Sequence, residues 1–216
     1  MTETTATSRW PLLVAGLGIA ALALSVPGAG GQTPATVKAP DVVVHVSDLP
    51  ARALSEFSFQ SDPASPGGKL ADTPNSGDEL DPPPENDPHV TFTAQVQRGV
   101  PYRCWIHMKV GTAKGKSQAN LFFVQMSGAV DASHKDILVP ESPDYLMARG
   151  PARPGWSWVS CNRADKPALI SFKSSGAATV RLQAGMEGVG FDQFVLSPER
   201  FLDKPPSEAV VRKASK

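Results

Sequence analysis

Residue types that carry much protein chemistry are scarce in this chain of 216 residues, which has two cysteines and four histidines. His45, His89, His107 and His134 stand apart, with no H-x-H or H-x-x-x-H pair, and the cysteines form no C-x-x-C, so the ligand spacing of a zinc site is missing. A G-x-S-x-G nucleophile elbow and a P-loop are missing too. Net charge is absent: 21 basic and 21 acidic residues cancel, so no field draws the chain to nucleic acid or to an acidic membrane surface. No amphipathic stretch of helical period is long enough to compete with strands, and there is no internal repeat or heptad. Paired carboxylates for glycoside hydrolysis would need a fixed separation of a few ångströms, whereas the acids here concentrate in a proline-rich stretch, 61–88. An enzyme is therefore the least favoured reading.

What is abundant is turn-forming residues. Eighteen Gly and 21 Pro exceed the usual share of about 12% and favour short strands joined by many turns. The chain opens with Arg9, an unbroken apolar run from Leu12 to Leu24, and a small-residue stretch ending at Ala29-Gly30-Gly31. Residues 1–31 read as a secretory signal peptide. The alternative is an uncleaved anchor, since Trp10 to Val26 nearly spans a thin bilayer. Either way the domain is expected outside the cytoplasm, secreted or periplasmic. In an oxidising compartment Cys104 and Cys161 can pair, a cross-link of about 4 kcal/mol for a loop of this length. The alternative is two buried free thiols acting as small hydrophobes.

Residues 32–40 read as a linker and 203–216 as a disordered tail. Between them, "DVVVHV", "HVTFTAQV", "VPYRCWIHMKV", "NLFFVQM", "WSWVSC", "ALISFK", "ATVRLQA" and "FDQFVL" read as strands. About eight strands with turn signals between them predict one all-β domain over 41–202, a single antiparallel β-sandwich or barrel. "SDLPARALSEF" reads as one helical turn with Asp48 as N-cap and Pro50 in the first turn. Seven prolines, seven acids and one lysine make 61–88 a long, partly mobile surface loop.

Five motifs in order carry a resemblance. "ATVRLQAGMEGVGFDQFVLSPERFL" resembles the closing hairpin of galactose-binding-like jelly-roll domains, the fold of many secreted bacterial carbohydrate-binding modules. Gly176, Thr179, Val180, Arg181, Leu182 and Gln183 match its first strand, and Phe191 to Pro198 its last. "GVPYRCWIHMKV", "LFFVQMSGAVD", "PGWSWVSC" and "VVVHVSDL" are similar to four further segments of the family. Two departures stand out. Ala184-Gly185-Met186-Glu187 replaces the family's "REDG" turn, and His107 stands where the family usually has Arg. The resemblance implies a jelly roll and a non-catalytic module that recognises a glycan. It also implies a structural calcium between the first and last strands, for which Asp48 and Asp192 are the matching positions. The alternative function is a structural or adhesion module of the cell envelope without a sugar site.

The residues themselves point to where a glycan would sit. Sugar rings present apolar C–H faces that stack on indoles, while their hydroxyls need polar partners. Trp105, on the strand face that also carries Arg103, His107 and Lys109, and Trp156 and Trp158, two apart on one face of the next tryptophan strand, are the candidate stacking residues. Arg103, His107, Tyr145 and Asn162 are the candidate polar or loop partners. At least one of Trp156 and Trp158 is equally readable as a core plug. Asp192, beside a glycine turn, reads as an acceptor for the turn's N–H groups or as a cation ligand.

Overall fold

The computed structural model describes residues 39–112, 118–137, 145–163 and 166–207. The signal peptide read over 1–31, nearly all of the 32–40 linker and the tail beyond Ser207 lie outside the described residues. Strands, numbered in chain order, fall into two sheets. One runs β3 (Ser58–Ser61), β4 (Lys69–Asp72), β16 (Gly190–Ser197), β6 (Tyr102–Thr112), β14 (Leu169–Phe172), β9 (Ala129–Val130). Strand β1 (Val42–His45) pairs with β16, while β11 (Gly155–Ser160) and β7 (Gln118–Ala119) pair with β6. The other sheet runs β13 (Lys166–Pro167), β12 (Asn162–Arg163), β10 (Leu146–Arg149), β8 (Leu121–Met126), β15 (Gly176–Ala184), β5 (His89–Val96), β2 (Leu54–Ser55). The pairings between these strands are antiparallel, so the domain is an all-β sandwich. Each of the eight expected strands is present.

Alternation explains which faces meet. In β5, Val90, Phe92, Ala94 and Val96 are buried and Thr91, Thr93 and Gln95 exposed, the period of two that puts one face on a core. In β6, Tyr102, Cys104, Ile106, Met108 and Val110 point inward. Strand β8 is buried throughout. Its Phe122, Val124 and Met126 join the main core, and its Leu121 and Phe123 lie under a second cluster with Met186. Aromatic rings lock the two sheets together, Phe92 against Phe194 at 5.2 Å and Phe122 against Phe191 at 5.6 Å, both edge-on. Truncating any of these buried rings to alanine costs about 3–5 kcal/mol.

Two local expectations change. The 61–88 stretch is not one long loop: Lys69–Asp72 forms β4, which pairs with β3 and with Gly190 and Phe191 of β16. The sequence hid it because only Leu70 and Ala71, both buried, are apolar there. The remaining loop is fastened to the second sheet by bonds from the Leu80 N–H to the Gly185 carbonyl and from the Gln183 amide to the Asp81 carbonyl. The expected helical turn is two 3₁₀ turns, Val46–Asp48 and Ala51–Ala53, with Asp48 inside the first and Pro50 capping the second. Both caps lack a side-chain hydrogen bond. Proline at 50 stops an α-helix from running through.

Candidate functional site

The outer face of the first sheet is built from a row of side chains set by register. His107 of β6 lies opposite Gln193 of β16 and Trp158 of β11, and His45 of β1 lies opposite Gln193. One row along, Lys109 lies opposite Gly190 and Trp156, and Gly190 opposite Asp72. The register of β16 on β6 shifts between Phe191 and Gln193. This bulge puts Asp192 and Gln193 between two phenylalanines that both face the core. It delivers two consecutive polar side chains to one side of the sheet.

Asp192 is buried, with its side chain fully enclosed, and its Oδ1 stands 2.7 Å from His107 Nδ1. Its Oδ2 is buried without a hydrogen-bond partner among the described residues. The His107 ring stacks on the Trp156 indole, centroids 4.6 Å apart and 11° from parallel, and rests tilted on Trp158 at 4.8 Å. An imidazole gripped by one carboxylate and two indoles has its orientation fixed, and Nε2 is the ring nitrogen left for another partner.

The facing wall is the β3–β4 loop. Asp62 ties it down: its Oδ1 accepts the Ala64 N–H at 2.8 Å and its Oδ2 accepts Lys109 Nζ at 2.7 Å. The nearby Trp156 indole also favours the ionised form of this carboxylate. The Lys109 hydrogen bond, chiefly, holds the Asp62 carboxyl below the usual carboxylate range, against the opposing effect of burial. Gly67 brings the loop against the first 3₁₀ turn, since a Cβ there would sit 2.3 Å from Ser47 Oγ. Between the Pro63–Pro66 wall and the Trp156/Trp158 wall lies a hollow of about 580 Å³, floored by His107 and Gln193, with Ser207 at its rim. Both indoles are half-buried.

The structure thus brings together three of the expected site residues, Trp156, Trp158 and His107. Trp105 shares their sheet face but is 8% exposed, packed with Val195, Phe201 and Trp158, and its indole N–H bonds the Phe201 carbonyl at 2.7 Å. The C-terminal segment covers it, so it offers no stacking face. Arg103 spends its guanidinium on the Leu202 and Ala168 carbonyls at 2.9 and 3.0 Å. Tyr145 and Asn162 belong to the other sheet. Tyr145 packs edge-on against Phe123 at 5.0 Å, and Asn162 pairs with Met147 of β10. The chain crosses to the Trp strand after Arg149, which parts Tyr145 from it, and crosses back at Cys161, which parts Asn162.

Gln193 and the loop residues 63–66, none of them expected at the site from the sequence, complete the hollow. The signal for Gln193 was present: "FDQF" breaks strand alternation, and two polar residues between two core phenylalanines mark a bulge. Asp192 is bonded not to the glycine turn but to a side chain of the neighbouring strand β6. Asp48 is exposed and lines a separate hollow with Arg52, Thr91 and Thr179. Among the described residues no group of three or more His, Cys, Asp or Glu gathers as a metal site. Cys104 and Cys161 meet in the core with Sγ atoms 2.6 Å apart, and the Cys161 N–H donates to the Cys104 carbonyl at 2.9 Å. Burial, reinforced by the neighbouring Cys161, pushes the Cys104 thiol well above the usual thiol range.

No family model matches the sequence, and no curated protein matches it. Among solved structures the chain is similar to the carbohydrate-binding module CBM6cm-2 of Cellvibrio mixtus lichenase 5A, in complex with cellotriose, at 9% identity and TM-score 0.44, over 72% of this chain and 95% of that one. It is similar to the C-terminal CBM6 of LamC from Zobellia galactanivorans at 11% identity and TM-score 0.44, over 73% and 99%. A Paenibacillus cycloisomaltooligosaccharide glucanotransferase complexed with cycloisomaltoheptaose shows 14% identity and TM-score 0.39, over 72% of this chain and 18% of that enzyme. At these identities the similarity is one of fold, and no residue of this chain is paired with a residue of theirs.

Proposed function

We propose that this chain is an exported, non-catalytic module that binds a glycan in the hollow between Trp156, Trp158 and the Pro63–Pro66 loop. One observation carries the reading: two half-buried indoles stand beside a fixed imidazole and an amide, Gln193, in a hollow of about 580 Å³. That volume falls in the range of small-ligand pockets. Stacked C–H faces supply apolar burial on the indoles, and hydroxyls find partners at His107 Nε2, Gln193 and the rim. Because sugar hydroxyls exchange water for protein at little net gain, such a site binds modestly and the indoles dominate its affinity.

The test is a glycan array on the purified chain, followed by titration of the best ligand. Trp156→Ala and Trp158→Ala should each cost about 2 kcal/mol, roughly thirtyfold in Kd. Trp105→Phe should leave Kd unchanged while lowering Tm. An array silent across plant, bacterial and algal polysaccharides would refute the reading and favour a structural or adhesion role.

A further inference from the structure

We infer that the hollow selects a cationic sugar, a glycan carrying free amino groups, over its neutral and acidic counterparts. The inference deepens the glycan-binding reading and rests on it.

Three independent features of the hollow agree. The first is the aromatic wall. Indole faces are electron-rich and attract ammonium groups. The chain already exploits this, since Lys109 Nζ stands 5.8 Å from the Trp156 ring centre.

The second feature is the balance of fixed charge around the hollow. Carboxylates come from three elements: Asp62 from the β3–β4 loop, Asp72 from β4 and Asp192 from β16. The fixed cation among them is Lys109, and Asp62 matches it at 2.7 Å. Asp72 and Asp192 each keep a buried oxygen with no hydrogen-bond partner among the described residues. The histidines on this face are His107, held by Asp192, and His45, whose Nδ1 lies 3.3 Å from the Gln193 amide nitrogen. Neither the half-buried Asp72 nor the buried Asp192 touches a ligand. They act through their field, which low-dielectric walls focus into the hollow. Neither a Lys or Arg nor a carboxylate is among the described residues that line the hollow itself; the cation beside it, Lys109, is already matched by Asp62, so the unmatched charge behind the walls is acidic.

The third feature is the polarity of His107. In the tautomer that donates Nδ1–H to Asp192, Nε2 carries a lone pair and is an acceptor. An ammonium is a pure donor and suits it, whereas a carboxylate would meet a lone pair.

Isothermal titration of the full chain with four tetrasaccharides tests the inference. The probes are the glucosamine tetramer, its N-acetylated form, cellotetraose and tetragalacturonate. The glucosamine tetramer should bind at least about tenfold more tightly than cellotetraose at low salt, with tetragalacturonate weakest, and the advantage should shrink as salt is raised to about 0.5 M. Asp72→Asn, with its fold checked by Tm, should narrow the glucosamine advantage and leave cellotetraose affinity unchanged. Equal binding of the four, or preference for tetragalacturonate, would overturn the charge selection while leaving glycan binding standing. Binding of none of the four would overturn the charge selection, and the glycan array then decides separately whether glycan binding stands.

Discussion

His107→Ala offers the sharpest perturbation of the candidate site. The imidazole is 18% exposed and its partner Asp192 is enclosed. Removing the ring deletes the hydrogen bond to Asp192 Oδ1, and Oδ2 has none to begin with. The variant therefore keeps a carboxylate buried without a partner. Leaving a buried charge without its partner costs about 3–5 kcal/mol. Here the exposure of His107 lets water reach the vacated space, so the low end, about 3 kcal/mol, is expected. In a domain of this size that lowers Tm by roughly 6–12 °C. Asp192→Asn keeps an acceptor for the imidazole N–H and should cost about 1 kcal/mol. The double variant His107→Ala/Asp192→Asn should then be more stable than His107→Ala alone, because the orphaned charge is gone. Urea denaturation followed by tryptophan fluorescence reads this well, as Trp156 and Trp158 both touch the imidazole. If His107→Ala costs less than about 1 kcal/mol, or the second change recovers nothing, the pair does not organise the site and the reasoning fails.

Burial raises the Asp72 carboxyl above its ordinary value, so in the native state its charge is a cost that appears as pH rises through the raised value. Asp72→Asn should therefore be more stable than the parent at neutral pH, with the difference closing below about pH 4, as thermal melts across pH would show. Asp62 has the opposite sign: its carboxyl is lowered, mainly by Lys109, so the stability it confers is present above the ordinary carboxylate value and is lost as pH falls through the lowered one. Lys109→Met should flatten the acid end of the stability profile, and an unchanged profile would show that the loop is held otherwise. Gly67→Ala must displace either the loop or Ser47; it should weaken glycan binding more than it lowers Tm, by roughly tenfold in Kd, and unaltered binding would place the ligand elsewhere. We further expect Cys104 and Cys161 to form a disulfide in the exported protein, so that thiol titration in denaturant finds no free thiol and reduction lowers stability by about 4 kcal/mol; two titratable thiols would contradict it.

The parts of the fold legible in the sequence are those where one strand face alone meets the core. Strands β5 and β6 alternate cleanly, and their inward residues were readable from period two. What escaped depends on partners distant in the chain. Trp105 alternates outward with His107 and Lys109, and local pattern makes it a surface residue. It is buried because Phe201, 96 residues later, folds over it. Strand β4 has two apolar residues in a run of prolines and acids, and its strand character comes from pairing with β16. Tyr145 and Asn162 are near the tryptophans in sequence but stay with the other sheet, because the chain enters the Trp strand between Arg149 and Gly155 and leaves it after Ser160.

The candidate site follows the same division. Its tryptophan spacing and the outward place of His107 were written locally, whereas the hollow exists only because a distant loop comes to face them. Asp192 joins the two. It is the one acid of the closing strand, and a carboxylate there satisfies several local rules at once: it suits a turn, a cation or a neighbouring side chain. Sequence alone does not choose among these, because the choice depends on the register of β16 against β6. The bulge between Phe191 and Gln193 makes the choice, turning Asp192 toward His107. Deletion of Gln193 would restore strict alternation with Asp192 still outward between two core phenylalanines, and would remove the amide that floors the hollow. The fold's strongest marker in the sequence and the anchor of its candidate site are therefore the same four residues, "FDQF".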